Sequence, residues 1–182
     1  MISEKRNTKI SKFLSLVLRH KPETIHIHLD ENGWVDVDEL IEKLNNNGAE
    51  ISFEILEHVV KTNVKKRFAF NEDKSKIRAS QGHSMKVDLN YKPISPPEKL
   101  YHGTSIRFLD SILKNGIEKR DRQHVHLSSD RQTALKVGQR HGKPTILEIQ
   151  ASKMHEKGCK FYLSENNVWL TEHIPTEYIK EI

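Results

Sequence analysis

The chain has 182 residues, of which 35% are hydrophobic and 30% charged, a composition typical of a folded globular protein rather than a disordered one. Its single cysteine, Cys159, excludes an internal disulfide and a cysteine-rich zinc site. Because no apolar run approaches about 18 residues and the N-terminus lacks a signal-peptide core, we expect a cytoplasmic protein without membrane contact.

The formal net charge of +5 permits a polyanionic partner such as RNA but does not require one. Residues 1–98 carry 16 Lys and Arg against 15 Asp and Glu, whereas residues 99–182 carry 14 against 10. The basic excess therefore lies in the second half. If RNA binds, a basic N-terminal domain acting alone does not hold it.

The first segment, residues 1–90, predicts three helices followed by a β-hairpin. An apolar stripe at helical spacing indicates the first helix, and we expect Pro22 to end it. The stripe consists of Ile10, Phe13, Leu14, Val17 and Leu18.

Two further helices are indicated by residues that favour N-caps. Asp36 with Glu39 predicts a helix through Leu44, and Ser52 predicts another through about Lys61. RFAFNEDKSKIRA then alternates on both sides of a polar turn at residues 71–75, which is typical of a hairpin. Three helices and a hairpin indicate a winged-helix-like lobe.

Residues 91–98 hold three prolines and predict a stiff linker to a second lobe at residues 99–182. There the segments KLYHG, HVHLS, TILEIQ and VWL predict short strands, with helices at about 105–114 and 130–140. We expect an α+β protein of two lobes with a cleft between them.

Arg19 and His20 directly follow the apolar stripe of the first helix. One interpretation is a C-terminal cap, since cations near the last helical carbonyls complement the helix dipole. The other is an anion-binding site. At 100° per residue Arg19 lies nearly opposite the centre of the stripe, so its side chain points away from the core of its own lobe.

In RDRQHVHLS the residues Arg122, His124 and His126 alternate, so an extended segment would present all three on one cationic face. A cleft lining is one interpretation and an exposed edge strand is another. Two histidines at this spacing can bind zinc, but no set of supporting carboxylates or cysteines accompanies them. The sequence therefore favours no metal.

Four other motifs contain glycine or cations. In YHGT, Gly103 would allow a ligand to approach the backbone beside His102, and VGQRHG places Arg140 and His141 before a glycine that could also be a simple helix cap. KKRF places Arg67 at the start of the hairpin. IRASQGHS could receive phosphate through backbone N–H groups.

Together these segments resemble the NAD-dependent RNA 2′-phosphotransferases, the KptA type of bacteria and the tRNA 2′-phosphotransferases of eukaryotes. The matching segments run in order from SKFLSLVLRHKPE through GWVDVDELI, KKRFAF, IRASQGHS, LYHGTSIRFLDSILKNGI, RQHVHLS, VGQRHG and NVWLTEHIP.

The resemblance implies a winged-helix lobe and an ADP-ribosyltransferase-like lobe that remove an internal 2′-phosphate from RNA, such as spliced tRNA, with NAD as a consumed co-substrate. It implies a 2′-phospho-ADP-ribosylated RNA intermediate and, as products, RNA with a 2′-OH, ADP-ribose 1″,2″-cyclic phosphate and nicotinamide.

The resemblance also assigns residues. The catalytic set falls on Arg19, His20, Arg67 and Arg122. The NAD-binding set falls on His102, Gly103, Thr104, His126, Ser128, Gly138, Arg140, His141 and Gly142. Other ADP-ribosyltransferases carry a glutamate where this chain has Val168.

We further expect Lys66, Arg78, His83 and Ser84 to bind RNA or phosphate, no metal to take part, and the chain to be a monomer. Two alternatives stay open. One is an ADP-ribosyltransferase that acts on another phosphate or a protein acceptor. The other is a non-catalytic RNA-binding winged helix with a degenerate second lobe.

Overall fold

The computed structural model describes residues 2–182 and divides the chain into two compact units, one ending at Asn90 and the other spanning Tyr91–Ile182. Both units combine helices with antiparallel strands, so the predicted α+β class is confirmed. None of the helices within residues 2–182 has the length and apolar character needed to cross a membrane.

The first unit contains the three predicted helices. Helices α1, α2 and α3 span Glu4–Val17, Val37–Asn46 and Phe53–Lys61. Both predicted N-caps are confirmed: Asp36 Oδ1 accepts hydrogen bonds from the backbone N–H groups of Asp38 and Glu39, and Ser52 Oγ accepts one from that of Ile55.

The predicted end of α1 is wrong. The helix ends at Val17, and Pro22 instead begins a 3₁₀ helix, Pro22–Ile25. The chain turns before the proline because the backbone N–H groups of His20 and Lys21 both donate to the carbonyl of Leu16, each at 2.9 Å. Arg19 and His20 therefore lie in a tight turn just beyond the helix.

The predicted hairpin is confirmed, and a third short strand joins it. Strands β1, β2 and β3 span Trp34–Asp36, Phe68–Phe70 and Lys76–Ala79 and form an antiparallel sheet in the order β1-β3-β2. The core packs against one face of α1, whose buried residues are Ile10, Leu14 and Val17. The opposite face of α1 is left for polar residues.

The second unit contains helices α4 (Leu109–Asn115), α5 (Arg131–Gly138) and α6 (Ala151–Glu156). Its strands β4 to β11 span Leu100–Ser105, Ile117–Glu118, Val125–Leu127, Pro144–Ile149, Tyr162–Leu163, Trp169–Thr171, His173–Ile174 and Ile179–Glu181. They form two three-stranded sheets, β11-β7-β4 and β6-β9-β8, and the pair β10-β5.

All four predicted strands of this unit are present, as β4, β6, β7 and β9. The predicted helices are shorter than expected because each contains a 3₁₀ turn, Ile106–Phe108 before α4 and Gln139–His141 after α5. The other strands of this unit, β5, β8, β10 and β11, have only two or three residues and were not predicted, since such lengths show no periodicity.

Helix α5 lies directly on strand β4, and two glycines make this approach possible. A Cβ atom at Gly103 would lie 1.7 Å from the carbonyl oxygen of Ala134, and one at Gly138 would lie 2.6 Å from that of Thr104. The structure thus adds a second reason for glycine at position 103, which is the close approach of the α5 backbone.

A buried carboxylate fixes the start of the same helix. Glu148 on β7 is buried and accepts from Lys99 Nζ at 3.1 Å and from Arg131 Nη2 at 3.5 Å. Arg131 is the first residue of α5 and also lies over the ring of Tyr101. The helix is therefore held on the sheet at its N-terminal end by charge and along its length by the glycine contacts.

We expect Gly103→Ala to lower the free energy of unfolding of the second unit by about 3 kcal/mol or more, because backbone atoms cannot yield to the new methyl group. Urea denaturation followed by the fluorescence of Trp169, in a Trp34→Phe background, measures this loss.

Gly48→Ala is the matched control. Gly48 has a positive φ of 76°, but no atom lies within 4 Å of the position that a Cβ would take there, so only backbone strain of about 1 kcal/mol applies. Its effect is read from Trp34 in a Trp169→Phe background. An equal loss for the two variants would contradict the packing argument.

Candidate functional site

Arg19 and Arg67 meet at one end of a surface groove of about 580 Å³ in the first unit. Arg19 Nη2 donates to the backbone carbonyl of Arg67 at 3.3 Å. Asn63 Oδ1 accepts from both the backbone N–H and Nη1 of Arg67, each at 3.3 Å. The turn after α1 and the residue before β2 are thereby joined, and two arginines face one groove.

His20 lies next to Arg19 and is exposed. Its Nδ1 lies 3.1 Å from Ser84 Oγ, and the backbone N–H of Ser84 donates to the carbonyl of Arg19 at 3.0 Å. The segment that was expected to receive phosphate through its N–H groups therefore already uses one of them. The hydroxyl of Ser84 also contacts the ring of His20.

Arg78 and His83, two of the residues expected to bind RNA or phosphate, are buried. Arg78 is 8% exposed, and its guanidinium lies over the ring of Trp34 at 4.4 Å. His83 is 1% exposed, and neither ring nitrogen has a hydrogen-bond partner among residues 2–182. The expectation that these two side chains contact RNA is not met in the structure, because both are buried.

Burial, together with the nearby charges of Arg19, His20 and Arg78, lowers the pKa of His83 to about 4. His83 is therefore neutral at pH 7. The charges of Arg19, His20 and Arg78 lower the pKa in the same direction as burial, which is the larger cause.

Lys66 lies outside the groove, although its neighbours Lys65 and Arg67 line it. The carbonyl of Lys66 accepts from Ser80 Oγ at 2.9 Å, so its backbone joins the hairpin. Sequence reasoning missed Lys65 and Asn63. Two features of the sequence indicate these residues in hindsight. One is the spacing of polar residues along α1, and the other is the position of Asn63 four residues before Arg67.

The second unit has its own cavity, of about 350 Å³, beside strands β4 and β6. Mutual backbone hydrogen bonds between Tyr101 and Ser128, at 2.9 and 2.8 Å, hold these strands together. Six of the predicted residues line the cavity: His102, Gly103, Thr104, Arg122, His126 and His141.

Two histidines of this cavity have assigned tautomers. His102 Nδ1 lies 3.1 Å from the carbonyl of His126 and must donate to it, so Nε2 of His102 is an acceptor. Arg122 Nη1 lies 3.0 Å from His126 Nδ1 and must donate, so Nε2 of His126 carries the proton. Adjacent histidines thus offer one acceptor and one donor.

Burial is the main cause that lowers the pKa of His102. The hydrogen bond with the carbonyl of His126 raises this pKa, and the charges of Arg122, His141 and Arg120 lower it further. Burial, with Arg140 nearby, also lowers the pKa of Arg122. Arginine stays protonated even so, because its ordinary pKa is far above neutral. The cavity therefore combines a neutral histidine with several cations.

The predicted single face of Arg122, His124 and His126 is wrong in its geometry. Strand β6 begins only at Val125, and the residues before it form bends. Even so, all three side chains line the same cavity. The bend brings Arg122 back onto His126 rather than projecting it in parallel.

Four residues expected at the nucleotide site do not line the cavity: Ser128, Gly138, Arg140 and Gly142. Ser128 joins β6 to β4 through its backbone, and Gly138 packs against Thr104. Gly142 has a φ of 121° and lies near Ser105 Oγ. Arg140 acts on the cavity through its charge on Arg122.

Sequence reasoning missed Phe108 and Arg120 in the cavity lining. The guanidinium groups of Arg107 and Arg120 lie over the ring of Phe108 at 4.5 and 5.1 Å. The charge run EKRDR, residues 118–122, was the available signal. Among residues 2–182 no three His, Cys, Asp or Glu side chains are grouped as metal ligands.

The sequence model described as "RNA 2'-phosphotransferase, Tpt1 / KptA family" matches residues 5–173, which is nearly the whole chain. The chain belongs to this family. The resemblance of the motifs to RNA 2′-phosphotransferases is thereby confirmed.

Three curated proteins, each named "Probable RNA 2'-phosphotransferase", show the extent of the similarity. That of Flavobacterium johnsoniae is 60% identical over 171 residues and 94% of each chain. That of Fusobacterium nucleatum subsp. nucleatum is 57% identical over 96% of this chain and 98% of its own. That of Rhodopirellula baltica is 51% identical over 98% of both. The RNA 2′-phosphotransferase match therefore covers both units.

We expect His83→Leu to weaken the pH dependence of stability. The folded pKa of about 4 lies below the unfolded value of 6.5, so the unfolded state alone takes up a proton as pH falls between these values. This contribution is complete above the unfolded pKa and is lost as pH falls through the folded pKa. Between pH 7.5 and 5 it amounts to about 2 kcal/mol.

Urea denaturation followed by Trp34 fluorescence in a Trp169→Phe background measures the effect at both pH values. At pH 7.5 the variant should lie within about 1 kcal/mol of the parent, because leucine removes two buried nitrogens that lack partners. His28→Gln, at an exposed position, is the matched control and should retain the parental dependence. An unchanged slope in His83→Leu would show that this group is not buried neutral.

Proposed function

We propose that this protein removes an internal 2′-phosphate from RNA by transferring it to NAD. The observation that supports this most strongly is the hydrogen bond that joins Arg19 to the backbone of Arg67 at one end of a groove. His20 is the residue that follows Arg19 in the chain. Two fixed guanidinium groups suit a phosphate dianion, because the planar fork of arginine matches phosphate oxygens and stays charged.

The fold supports the same proposal. Three helices and a three-stranded antiparallel sheet, in the chain order α1-β1-α2-α3-β2-β3, suit a winged-helix-like lobe. The small antiparallel sheets of the second unit suit an ADP-ribosyltransferase-like lobe. We assign residues 1–90 to the first lobe and 99–182 to the second, with 91–98 as the linker.

The proposed reaction has two steps. In the first, an oxygen of the RNA 2′-phosphate forms a bond to C1″ of the nicotinamide ribose while the bond from C1″ to nicotinamide breaks, and nicotinamide leaves with the electron pair. In the second, O2″ of that ribose attacks phosphorus and the bond to the RNA 2′-oxygen breaks. One proton moves from O2″ to the RNA, and ADP-ribose 1″,2″-cyclic phosphate leaves.

The residues of the second unit fit NAD. Its two phosphates are anionic, and Arg120, Arg122 and His141 line the cavity. Its ribose hydroxyls can donate to the acceptor Nε2 of His102 and accept from Nε2–H of His126. A cavity of about 350 Å³ is within the usual range for small-molecule sites.

A phosphate nucleophile requires no general base, since it already carries its negative charge. A carboxylate close to it would repel it, by roughly 1 to 4 kcal/mol at about 4 Å. Val168, just before β9, is therefore a reasonable residue where other ADP-ribosyltransferases carry glutamate. Arg122, which the family resemblance adds to the catalytic set, is held by His126.

The second step needs proton transfer, and His20 is the group we assign to it. Histidine side chains exchange protons near neutral pH, and the exposed ring of His20 is held by Ser84 at Nδ1. Nε2 is then the nitrogen that we assign to the reacting oxygens. Ser84 is a positioning residue in this scheme.

Incubating the purified protein with NAD and an oligonucleotide that carries one internal 2′-phosphate tests the proposal. We expect RNA with a free 2′-OH, nicotinamide and ADP-ribose 1″,2″-cyclic phosphate in equal amounts. Release of nicotinamide without RNA dephosphorylation, with ADP-ribose on another acceptor, would favour the alternative ADP-ribosyltransferase. Binding without any product would favour the non-catalytic alternative.

We expect His20→Ala to accumulate the 2′-phospho-ADP-ribosylated RNA, because it removes the proton carrier of the second step and leaves the first step its arginines. Single-turnover reactions resolved by gel electrophoresis give both rate constants. The second should fall by about 100-fold or more, the usual contribution of general acid and base catalysis. Equal slowing of both steps would contradict this assignment.

A further inference from the structure

Arg19 and Arg67 lie at one end of the groove. From there the groove runs along helix α1 toward Glu4 at the start of the helix. Its first wall is the polar face of α1, where Thr8, Ser11 and Ser15 lead toward Arg19 at intervals of three or four residues. This face is opposite the buried residues of the helix. Lys12 lies on the same wall and is exposed.

The second wall is the segment between α3 and β2, residues 62–67. Hydrogen bonds join the two walls along their length. Asn7 Nδ2 donates to Thr62 Oγ1 at 3.0 Å, and Asn63 Nδ2 donates to Ser11 Oγ at 2.9 Å. The hydrogen bond from Arg19 to the carbonyl of Arg67 is a third such contact. Together these contacts fix the position of residues 62–67 against α1.

The charges of the groove have one sign almost throughout. Lys12, Lys65, Arg19 and Arg67 line it, and Glu4 at the start of α1 is the one acidic residue in its described lining. Val64 also lines the groove and is 97% exposed. A polar, cationic groove with an exposed apolar side chain suits a single nucleic-acid strand, whose phosphates bind cations and whose bases contact apolar groups.

We propose that this groove holds the RNA strand that flanks the 2′-phosphate, with Lys12 and Lys65 binding phosphates of the neighbouring nucleotides. Lys12 precedes Arg19 by seven residues, which corresponds to about 10 Å along a helix. Nucleotides adjacent to the reacting phosphate can cover that distance. This inference rests on the proposed function and extends it, because it names the residues that bind the nucleotides on either side of the 2′-phosphate.

Substrate length separates this proposal from a role confined to the reacting phosphate. A 2′-phosphorylated dinucleotide offers almost no flanking phosphates, whereas a decamer with a central 2′-phosphate offers them on both sides. In Lys12→Ala and Lys65→Ala we expect the ratio of the decamer KM to the dinucleotide KM to rise about five- to tenfold.

Salt dependence gives a second readout. Anisotropy of a labelled decamer, titrated with each protein at several salt concentrations without NAD, gives the slope of log affinity against log salt. Each lysine removed should reduce that slope by about 0.7, the value for one contact to a single strand. This measurement does not require catalysis.

Lys9→Ala is the matched control, since Lys9 is an exposed lysine of α1 that does not line the groove. It should leave both KM values and the salt slope at their parental values. Val64→Glu and Val64→Lys form a charge pair at one fully exposed position, so neither should impair folding. The glutamate should weaken binding of the decamer and the lysine should strengthen it.

The outcomes are distinguishable. If the wild-type protein does not dephosphorylate even the dinucleotide in the presence of NAD, the proposed function fails. If it does, but Lys12→Ala behaves like Lys9→Ala and both Val64 variants bind the decamer equally, the RNA lies elsewhere and only the groove assignment is overturned.

Discussion

The hydrogen bonds that hold Arg19 beside Arg67 are the constraint on which the first unit depends. Arg19 donates from its side chain to the carbonyl of Arg67, and its own carbonyl accepts from the N–H of Ser84. The carbonyl of Arg67 in turn accepts from the N–H of Ser80. These bonds join the end of α1, the start of β2 and the segment after β3. Separate parts of the sequence are thereby fixed as one cationic surface.

Arg19 and Arg67, held side by side on this surface, suit an anionic ligand. The buried His83 has a pKa lowered to about 4, chiefly by burial and further by the charges of Arg19, His20 and Arg78. In the second unit the pKa of the partly buried His102 is also lowered, chiefly by desolvation and further by the charges of Arg122, His141 and Arg120. Each unit thus combines a histidine of lowered pKa with cations at a cavity wall, although Glu118 and Asp121 also line the cavity of the second unit.

The sequence predicted the α+β class, the N-caps at Asp36 and Ser52, the hairpin and the longer strands, because caps and periodicity are local properties. It did not predict the early end of α1, which depends on Leu16 accepting two N–H groups, or strands of two residues. At the site, cation-bearing motifs were found from residue type. The burial of Arg78 and His83 and the packing role of Gly103 were not, because each depends on neighbours distant in the chain.

One binding measurement tests directly the proposal that Arg19 and Arg67 together bind a phosphate dianion. Two oligonucleotides of the same sequence, one with an internal 2′-phosphate and one with a 2′-OH, are titrated by calorimetry without NAD against the wild-type protein and Arg67→Lys. The lysine variant keeps the charge but loses the planar fork. We expect at least tenfold tighter binding of the phosphorylated strand to the wild type and most of that preference to be lost in the variant. Equal affinities of the wild type for both strands would contradict the account.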